Sequence, residues 1–344
     1  MTGGRRELDH TPPVSQDRPD RRPVRMTVIG SRDRGADVTS GGEGREEAGG
    51  RGTGAATEDF LAHRNLLFTV AYEILGSAAD AEDVLQETWL RWAGVDLAEV
   101  RDRRAYLVRI TTRQALTRLR TLGRRKESYV GSWLPEPLLT SPDVAEDVEL
   151  ADSVSMAMML VMETLAPTER AVFVLREVFD VGYDEIAEAV GKSPTAVRQI
   201  AHRARAHVAD RRPRGALSPQ RTRHVLDAFR RAVETGDLQG LLDVLAPDVV
   251  LLGDGGGIKQ AVLRPVVGAD KVARLLQGGL RKVPAALTLR PALVNGGPAL
   301  VLHLDGELDS VLAVRVDDGL VTGLYAVRNP EKLSHMEREI PLRR

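Results

Sequence analysis

The hydrophobic positions after Asp59 recur at the three- and four-residue spacing of amphipathic helices. This pattern predicts helices over residues 59–75, 80–92 and 103–122. Gly76 and Gly123 follow the first and the third of these, as glycines at helix ends commonly do. The region from 59 to 122 is therefore expected to be a helical domain.

Helical periodicity returns over residues 153–210, where helices are predicted at 168–178 and 183–190. A third helix follows directly. Ser193 is a good N-cap for it, and Pro194 suits its first helical position. Two short helices joined by a tight turn predict a helix-turn-helix.

The pattern changes after Pro219, where two helices (220–235 and 237–245) precede short runs rich in Val and Leu. The runs cover residues 247–252, 261–267, 286–294, 299–304, 308–316 and 320–328, with a further helix predicted at 269–282. Helices followed by a meander of strands predict an α+β domain with a curved sheet.

Composition defines the remaining segments. Residues 1–56 hold 11 of the 32 glycines and few apolar side chains, which predicts a disordered leader. Residues 127–152 carry seven acidic groups and no Lys or Arg, which predicts an acidic linker. The chain has no cysteine, which excludes disulfides, a thiol nucleophile and Cys-ligated zinc and favours the cytoplasm. No apolar run approaches the ~18 residues that span a bilayer.

The net charge of −1 hides strong segregation of charge along the chain. Residues 192–214 hold seven Lys or Arg and a single acid, Asp210. The third helix of the helix-turn-helix exposes polar and basic side chains that suit base edges and phosphates: Thr195, Arg198, Gln199, His202, Arg203 and Arg205. The alternative is a solvated charged helix. His202 and His207 have metal-ligand spacing, but no Cys or carboxylate partner lies nearby in sequence, so no metal and no cofactor is predicted.

Residues 101–126 contain ten Lys or Arg and a single acid. Helical spacing aligns Tyr106, Arg109, Arg113, Thr117 and Arg120 in one stripe, and Arg101 precedes it. A cationic stripe with an aromatic residue suits the backbone and unstacked bases of a single strand. The alternatives are a basic surface without a partner, or one that pairs with the acidic linker.

The helix over 80–92 has the opposite character, with four carboxylates beside Trp89 and Trp92. An acidic helix with an exposed Trp suits protein docking. In the alternative interpretation, Asp80 and Glu82 only cap the helix and both tryptophans belong to the core. The residues alone leave this open.

Taken together, these segments resemble the extracytoplasmic-function sigma factors of bacteria. Residues 62–92 resemble the first promoter-reading region of that family. Residues 132–138 (SWLPEPL) and 167–208 resemble the SigJ-like group, which carries a fused SnoaL-like domain of the nuclear-transport-factor-like fold. DGGG at 254–257 and YAVRNPEKL at 325–333 resemble the C-terminal signatures of that group. The implied fold is multidomain: two all-α sigma domains, the second a helix-turn-helix, and a C-terminal α+β cone.

The resemblance implies a division of labour among these segments. The expected parts are a leader (1–56), a domain reading the −10 promoter element and docking on core polymerase (57–126), the linker (127–152), a domain reading the −35 element (153–212) and a SnoaL-like regulatory domain (218–335). The expected docking residues are Asp80, Glu82, Asp83, Gln86, Glu87 and Trp89. The expected partners are bacterial core RNA polymerase and promoter DNA, with no membrane and no anti-sigma factor implied. The acidic linker would enter the cationic active cleft of the polymerase.

The C-terminal domain has three possible roles. In the preferred one it regulates the sigma domains in cis, through Trp133, Pro135, Asp254, Gly255, Gly256, Asn329 and Lys332. In the second it is a SnoaL-like enzyme, with Asp254, His303, Asp305 and Glu307 as candidate acid–base groups and the helix-turn-helix as an accessory. In the third the protein is a repressor whose C-terminal domain senses a ligand, which leaves the acidic helix and the acidic linker unexplained.

Overall fold

The structure, a computed structural model, describes residues 43–211, 219–280 and 286–344. The helices up to residue 211 are, in chain order, α1 (Glu43–Leu75), α2 (Ala78–Trp92), α3 (Arg103–Glu127), α4 (Pro142–Glu146), α5 (Val148–Val154), α6 (Met156–Glu163), α7 (Pro167–Phe173), α8 (Tyr183–Val190) and α9 (Pro194–Ala209). No helix in the described parts of the chain combines the length and the apolar character needed to cross a bilayer.

The boundary between α1 and α2 lies where the sequence predicts it. Gly76 adopts a φ of +71°, a conformation that glycine enters without steric penalty. The Ser77 hydroxyl then accepts a hydrogen bond from the Asp80 N–H at 3.1 Å and caps α2.

Two predicted boundaries in this region are wrong. The third helix does not end at Gly123 but continues to Glu127, because an isolated glycine costs a helix only about 1 kcal/mol. The first 42 residues of the predicted disordered leader lie outside the described residues, but residues 43–56 belong to α1. Adding residues to a helix that packing already holds avoids the cost of nucleation, and Ala56 is buried.

The helix-turn-helix is formed by α8 and α9. Gly191 makes the turn with a φ of +66°, and the Ser193 hydroxyl accepts from the Ala196 N–H. The helix predicted over 168–178 is correct in extent but not in kind, because α7 ends at Phe173 and a π-helical turn, Val174–Val178, completes it.

One hydrophobic cluster runs through the helices on both sides of the linker. It includes Phe68 and Leu107 from the first helical domain and Val172, Ile186 and Val197 from the second. The two helical domains that the sequence separates therefore share a core in this structure.

The C-terminal part contains three helices and a six-stranded sheet within the described residues. The elements are α10 (Pro219–Thr235), α11 (Leu238–Val244), β1 (Leu245–Asp254), β2 (Val266–Val267), α12 (Ala269–Leu280), β3 (Leu287–Val294), β4 (Gly297–Leu304), β5 (Glu307–Asp317) and β6 (Leu320–Val327). The strand order is β2-β1-β6-β5-β4-β3, with β1 and β6 parallel and the other pairs antiparallel. The strand predicted over 261–267 shrinks to its last two residues. The predicted boundaries at 212 and 218 lie outside the described residues.

Each face of the sheet is covered by a different layer. One face packs on α10, α11 and α12 through a cluster that contains Phe229, Leu241 and Leu300. The other face forms a cluster with the linker and α6, which contribute Leu134 and Met156. The predicted fold class, two helical domains followed by an α+β domain, is confirmed, and the sheet contacts the segment that joins the helical domains.

Candidate functional site

The exposed face of α9 carries all six residues expected to read duplex DNA: Thr195, Arg198, Gln199, His202, Arg203 and Arg205. Val197, Ile200, Ala201, Ala204 and Val208 form the buried face of the same helix. Arg205 pairs with Glu177 at 3.0 Å, and the guanidinium of Arg198 lies 5.5 Å from the ring centre of Tyr183. The helix therefore presents a basic, hydrogen-bonding surface whose arginines are partly oriented by their own domain.

The stripe on α3 is only partly open to solvent. Arg120 is exposed, as is Arg101 just before the helix. Arg109, which stacks on Tyr106 at 4.6 Å, forms a 2.6 Å ion pair with Glu188 of α8. Arg113 donates to the main-chain carbonyl of the same glutamate at 2.6 Å. These two basic side chains thus pair with the helix-turn-helix, not with the acidic linker.

The acidic helix α2 combines structural and exposed carboxylates. Val84, Leu85 and Thr88 face the core as expected. Asp80 is nearly buried, and its carboxylate accepts from Arg118 of α3 at 2.6 Å. The remaining acidic and amide side chains of the predicted docking set lie at or near the surface; they are Glu82, Asp83, Gln86 and Glu87.

The two tryptophans of α2 differ in environment. Trp92 is fully buried, and its indole N–H donates to the Ala56 carbonyl at 2.9 Å. Trp89 is half-buried against Phe60, with ring centres 5.4 Å apart. Trp92 and Asp80 are therefore structural, while Trp89 borders the exposed acidic face.

Asp254, the last residue of β1, is completely buried and binds the linker. Its carboxylate accepts from the Tyr129 hydroxyl at 2.5 Å and from the Leu134 N–H at 2.9 Å. Lys332 completes the site, because its ammonium lies 2.7 Å from the same carboxylate. Each of these donors offsets the cost of burying a negative charge.

Lys332 is itself almost fully enclosed by the linker. Its ammonium donates to the Leu134 carbonyl at 2.6 Å and lies 3.3 Å from the ring centre of Trp133. Burial lowers the pKa of Lys332 to about 8, and Asp254 opposes that shift. The lysine consequently remains mostly charged at neutral pH, and its charge binds the linker to the C-terminal domain.

Two of the three glycines after Asp254 stand where a side chain would collide with neighbouring residues. Gly256 has a φ of +63°, and a Cβ there would lie 2.4 Å from the Asn329 amide nitrogen. A Cβ on Gly255 would lie 2.0 Å from the Lys259 carbonyl oxygen. Asn329 in turn donates to the Tyr129 hydroxyl at 2.9 Å. We call the group formed by these contacts the linker cluster; it consists of Tyr129, Trp133, Leu134, Asp254, Asn329 and Lys332. With buried Pro135, all seven residues predicted for the interdomain contact lie at or next to this linker cluster.

Comparison with known proteins gives matches to each of the two helical domains and to most of the chain. The family model for Sigma-70 region 2 matches residues 60–125, and that for Sigma-70, region 4 matches residues 155–208. The ECF RNA polymerase sigma factor SigJ of Mycobacterium tuberculosis is 36% identical over 289 residues, which cover 80% of this chain and 92% of the relative. The chain belongs to the extracytoplasmic-function (ECF) sigma factors.

Two further matches agree with this assignment. The probable ECF sigma factor SigI of M. tuberculosis is 32% identical over 81% of this ECF sigma factor and 95% of the relative. The crystal structure of M. tuberculosis SigJ superposes with a TM-score of 0.66 at 34% identity, covering 81% of this chain and 98% of that one. The family predicted from the sequence is therefore confirmed.

Sequence reasoning missed several residues that connect the parts of this ECF sigma factor. Glu136 of the linker caps α2, because its carboxylate accepts from the N–H groups of Ala78 and Ala79. Burial raises the pKa of Glu136, while these backbone donors lower it. Tyr129 was missed as well. No local pattern indicates these roles, because their partners are distant in sequence.

Leu90 is a further missed residue on the exposed face of α2. Its side chain is 73% exposed, and it follows Gln86 and Glu87 at helical spacing. The sequence did contain a signal, because Leu90 does not lie at the helical spacing that places Val84 and Leu85 on the buried face. The exposed face of α2 is thus partly apolar.

The four candidate acid–base groups of the enzyme interpretation do not form a common site. The Asp254 carboxylate is occupied by the linker cluster. His303 lies on the face of β4 that also carries Ala299 and Val301 and packs towards the linker. Asp305 is exposed in the turn between β4 and β5, and Glu307 is exposed at the start of β5. An open cavity of about 480 Å³ beside α10 is lined by none of these four residues.

Proposed function

We propose that this ECF sigma factor docks on bacterial core RNA polymerase through the exposed face of α2, reads promoter DNA through α3 and α9, and is restrained in cis by its C-terminal domain. The linker cluster carries the last part of this proposal. There, the buried carboxylate of Asp254 and the buried ammonium of Lys332 bind the main chain of Leu134 and the aromatic side chains of Tyr129 and Trp133 in the linker.

Charge and exposure support the first two parts. The exposed carboxylates and Leu90 of α2 suit a basic protein surface with an apolar centre, which is the usual composition of a docking site. The exposed arginines and Gln199 on α9 suit guanine and adenine edges in the major groove. Protein and DNA partners thus contact different helices.

The position of the linker supports the restraint. Leu134 and Leu138 are completely buried, and Leu139 forms a β-bridge with Val294. If the acidic linker enters the polymerase cleft, as proposed for this family, the segment has to leave these contacts. Every contact that holds the linker then reduces the free energy available for polymerase binding.

The Asp254→Asn variant tests the restraint. The substitution keeps the shape of the side chain but removes the charge that Lys332 and the Leu134 N–H bind. Charge-assisted hydrogen bonds contribute about 1.5–3 kcal/mol, and about 1.4 kcal/mol is a factor of ten in affinity, so the variant is expected to bind core polymerase at least about tenfold more tightly. Binding is measured with the full chain by fluorescence anisotropy, with promoter-directed transcript yield as a second readout.

Asp309→Asn is the matched control. Asp309 is also buried in the C-terminal domain and pairs with Lys259 and Arg328, but both of these partners lie within that domain. Tighter core binding in Asp254→Asn alone supports the restraint. Equal affinity of the two variants contradicts it, and failure of both the wild type and Asp254→Asn to bind core polymerase contradicts the docking assignment.

We also propose that the C-terminal domain performs no catalysis of its own and that no anti-sigma factor is needed. The engagement of Asp254 and the separate locations of the other candidate groups support the first point. The linker cluster supports the second, since it supplies within one chain a restraint that a separate partner would otherwise provide. The proposed site of action is the cytoplasm, where polymerase and promoters are found.

A further inference from the structure

Helix α8 of the helix-turn-helix packs against α3, the helix that carries the cationic stripe. Glu188, near the C-terminal end of α8, makes the polar contacts. One carboxylate oxygen lies 2.6 Å from Arg109, and the main-chain carbonyl of Glu188 accepts from Arg113 at the same distance. One residue of the second sigma domain therefore binds two arginines of the first.

The chemistry of this contact matches that of a nucleic-acid backbone. A carboxylate offers a guanidinium the same charge-assisted acceptor geometry as a phosphate oxygen. The carbonyl at the end of α8 lies at the negative end of the helix dipole, and it lacks an intrahelical partner there. Two acceptors on α8 thus bind the arginines that the sequence assigns to promoter DNA.

We propose that α8 covers part of the surface that reads the −10 element in the free protein, and that Glu188 takes the place of promoter phosphates on Arg109 and Arg113. This inference rests on the proposed assignment of α3 to the −10 element. It differs from the linker restraint, because it names the surface that is blocked and the residue that blocks it.

The rest of the α3–α8 contact explains why the arrangement is stable but reversible. Ile186 and Ala189 of α8 are buried in the same hydrophobic cluster as Leu107 and Leu116 of α3. The side chain of Glu188 is 64% exposed, and an exposed ion pair contributes little to stability. The hydrophobic contact holds α8 against α3. Glu188 adds acceptors for Arg109 and Arg113 at the edge of that contact.

Charge reversal at Glu188 tests the proposal in the full chain. The probe is a fluorescein-labelled twelve-nucleotide oligothymidylate, whose binding is followed by anisotropy over a range of salt concentrations. In Glu188→Arg, the ion pair with Arg109 is lost and the new cation repels Arg109, which frees it for the probe, whereas the main-chain carbonyl of residue 188 still accepts from Arg113. Each phosphate contact adds about 0.7 to the salt slope for a single strand, so release of Arg109 is expected to steepen the slope by about 0.7, equivalent to about fivefold tighter binding at 0.1 M salt.

Glu185→Arg is the matched control, because Glu185 lies on the same helix, is also exposed and undergoes the same change of charge. The gain of Glu188→Arg is measured relative to this variant. Adding Arg109→Gln and Arg113→Gln to Glu188→Arg is expected to abolish the gain. Glu188→Gln, which removes only the negative charge, is expected to show a smaller gain in the same direction.

The outcomes separate this inference from the proposed function. Equal affinity and equal salt slope for Glu188→Arg and Glu185→Arg would overturn it, as would a gain that survives loss of both arginines. Core polymerase binding is measured for the same proteins. If wild type and Glu185→Arg bind core polymerase but the Glu188→Arg gain is missing, only the covering role of α8 is wrong. If none of these proteins binds core polymerase, the proposed docking of α2 on the polymerase is wrong instead.

Discussion

Asn295 joins four parts of the molecule and provides a direct test of how strongly they are held together. It occupies the turn between β3 and β4 and is completely buried. Its amide oxygen accepts from the Leu138 N–H at 3.0 Å. Its amide nitrogen donates to the Tyr72 hydroxyl at 2.6 Å and to the Val154 carbonyl at 2.9 Å. The first sigma domain, the linker, α5 and the C-terminal sheet therefore meet at one side chain.

The cost of Asn295→Ala follows from these contacts. Three buried hydrogen bonds are lost at about 1 kcal/mol each, which gives about 3 kcal/mol. The residue also has a φ of +54°, which asparagine tolerates better than alanine and which adds about 1 kcal/mol. The expected loss in the free energy of unfolding is therefore about 4 kcal/mol.

Urea unfolding followed by tryptophan fluorescence measures this loss, with Asp318→Ala as the control. Asp318 also precedes a glycine in a strand-connecting turn and has a φ of +50°, but it is exposed. Its substitution isolates the backbone contribution of about 1 kcal/mol. If the two variants differ by less than about 1 kcal/mol, Asn295 does not hold the four parts together.

Two further predictions concern a buried carboxyl group and the exposed face of α2. Burial raises the pKa of Glu73 to about 8 from 4.5, and the Ser153 hydroxyl lowers it in part. Because the folded state then keeps a proton that the unfolded state releases, wild-type stability falls as pH rises from about 4.5 to about 8. Glu73→Gln lacks this loss, so its stability relative to wild type should increase from pH 5 to pH 8 in urea unfolding, and an unchanged difference contradicts the assignment. Leu90→Ala should weaken core polymerase binding about tenfold without changing the unfolding midpoint, because burying a leucine contributes about 1.5–3 kcal/mol. Leu61→Ala, at a residue exposed to 61% on α1, is the control, and equal binding of the two variants places Leu90 outside the interface.

Local patterns in the sequence were sufficient for most helices and for their caps. Ser77 and Ser193 each accept the backbone hydrogen bond that an N-cap requires, and Gly191 takes the left-handed turn. These features depend on residues within a few positions of one another. The buried face of α9 likewise follows from the three- and four-residue spacing of its apolar side chains.

The contacts that combine these elements could not be predicted in the same way. Tyr129 and Asp254 are 125 positions apart, and Arg113 and Glu188 are 75 apart. Hydrophobic periodicity shows which face of a helix is buried but not which helix covers it. The resemblance to a family indicated that the linker and two loops would meet, whereas Glu136, Asn295 and Glu188 had no comparable signal.

The contact of Leu342 and Arg343 with the sigma helices has a consequence for the order of events during synthesis. Leu342 is buried in the hydrophobic cluster of the sigma helices, and the Arg343 N–H donates to the Thr69 hydroxyl 274 positions earlier. At about 5–20 residues per second, a ribosome needs about 14–55 s to cover that distance. The nascent sigma helices therefore spend this interval without the contacts of Leu342 and Arg343. A pause in translation of the C-terminal domain prolongs the interval.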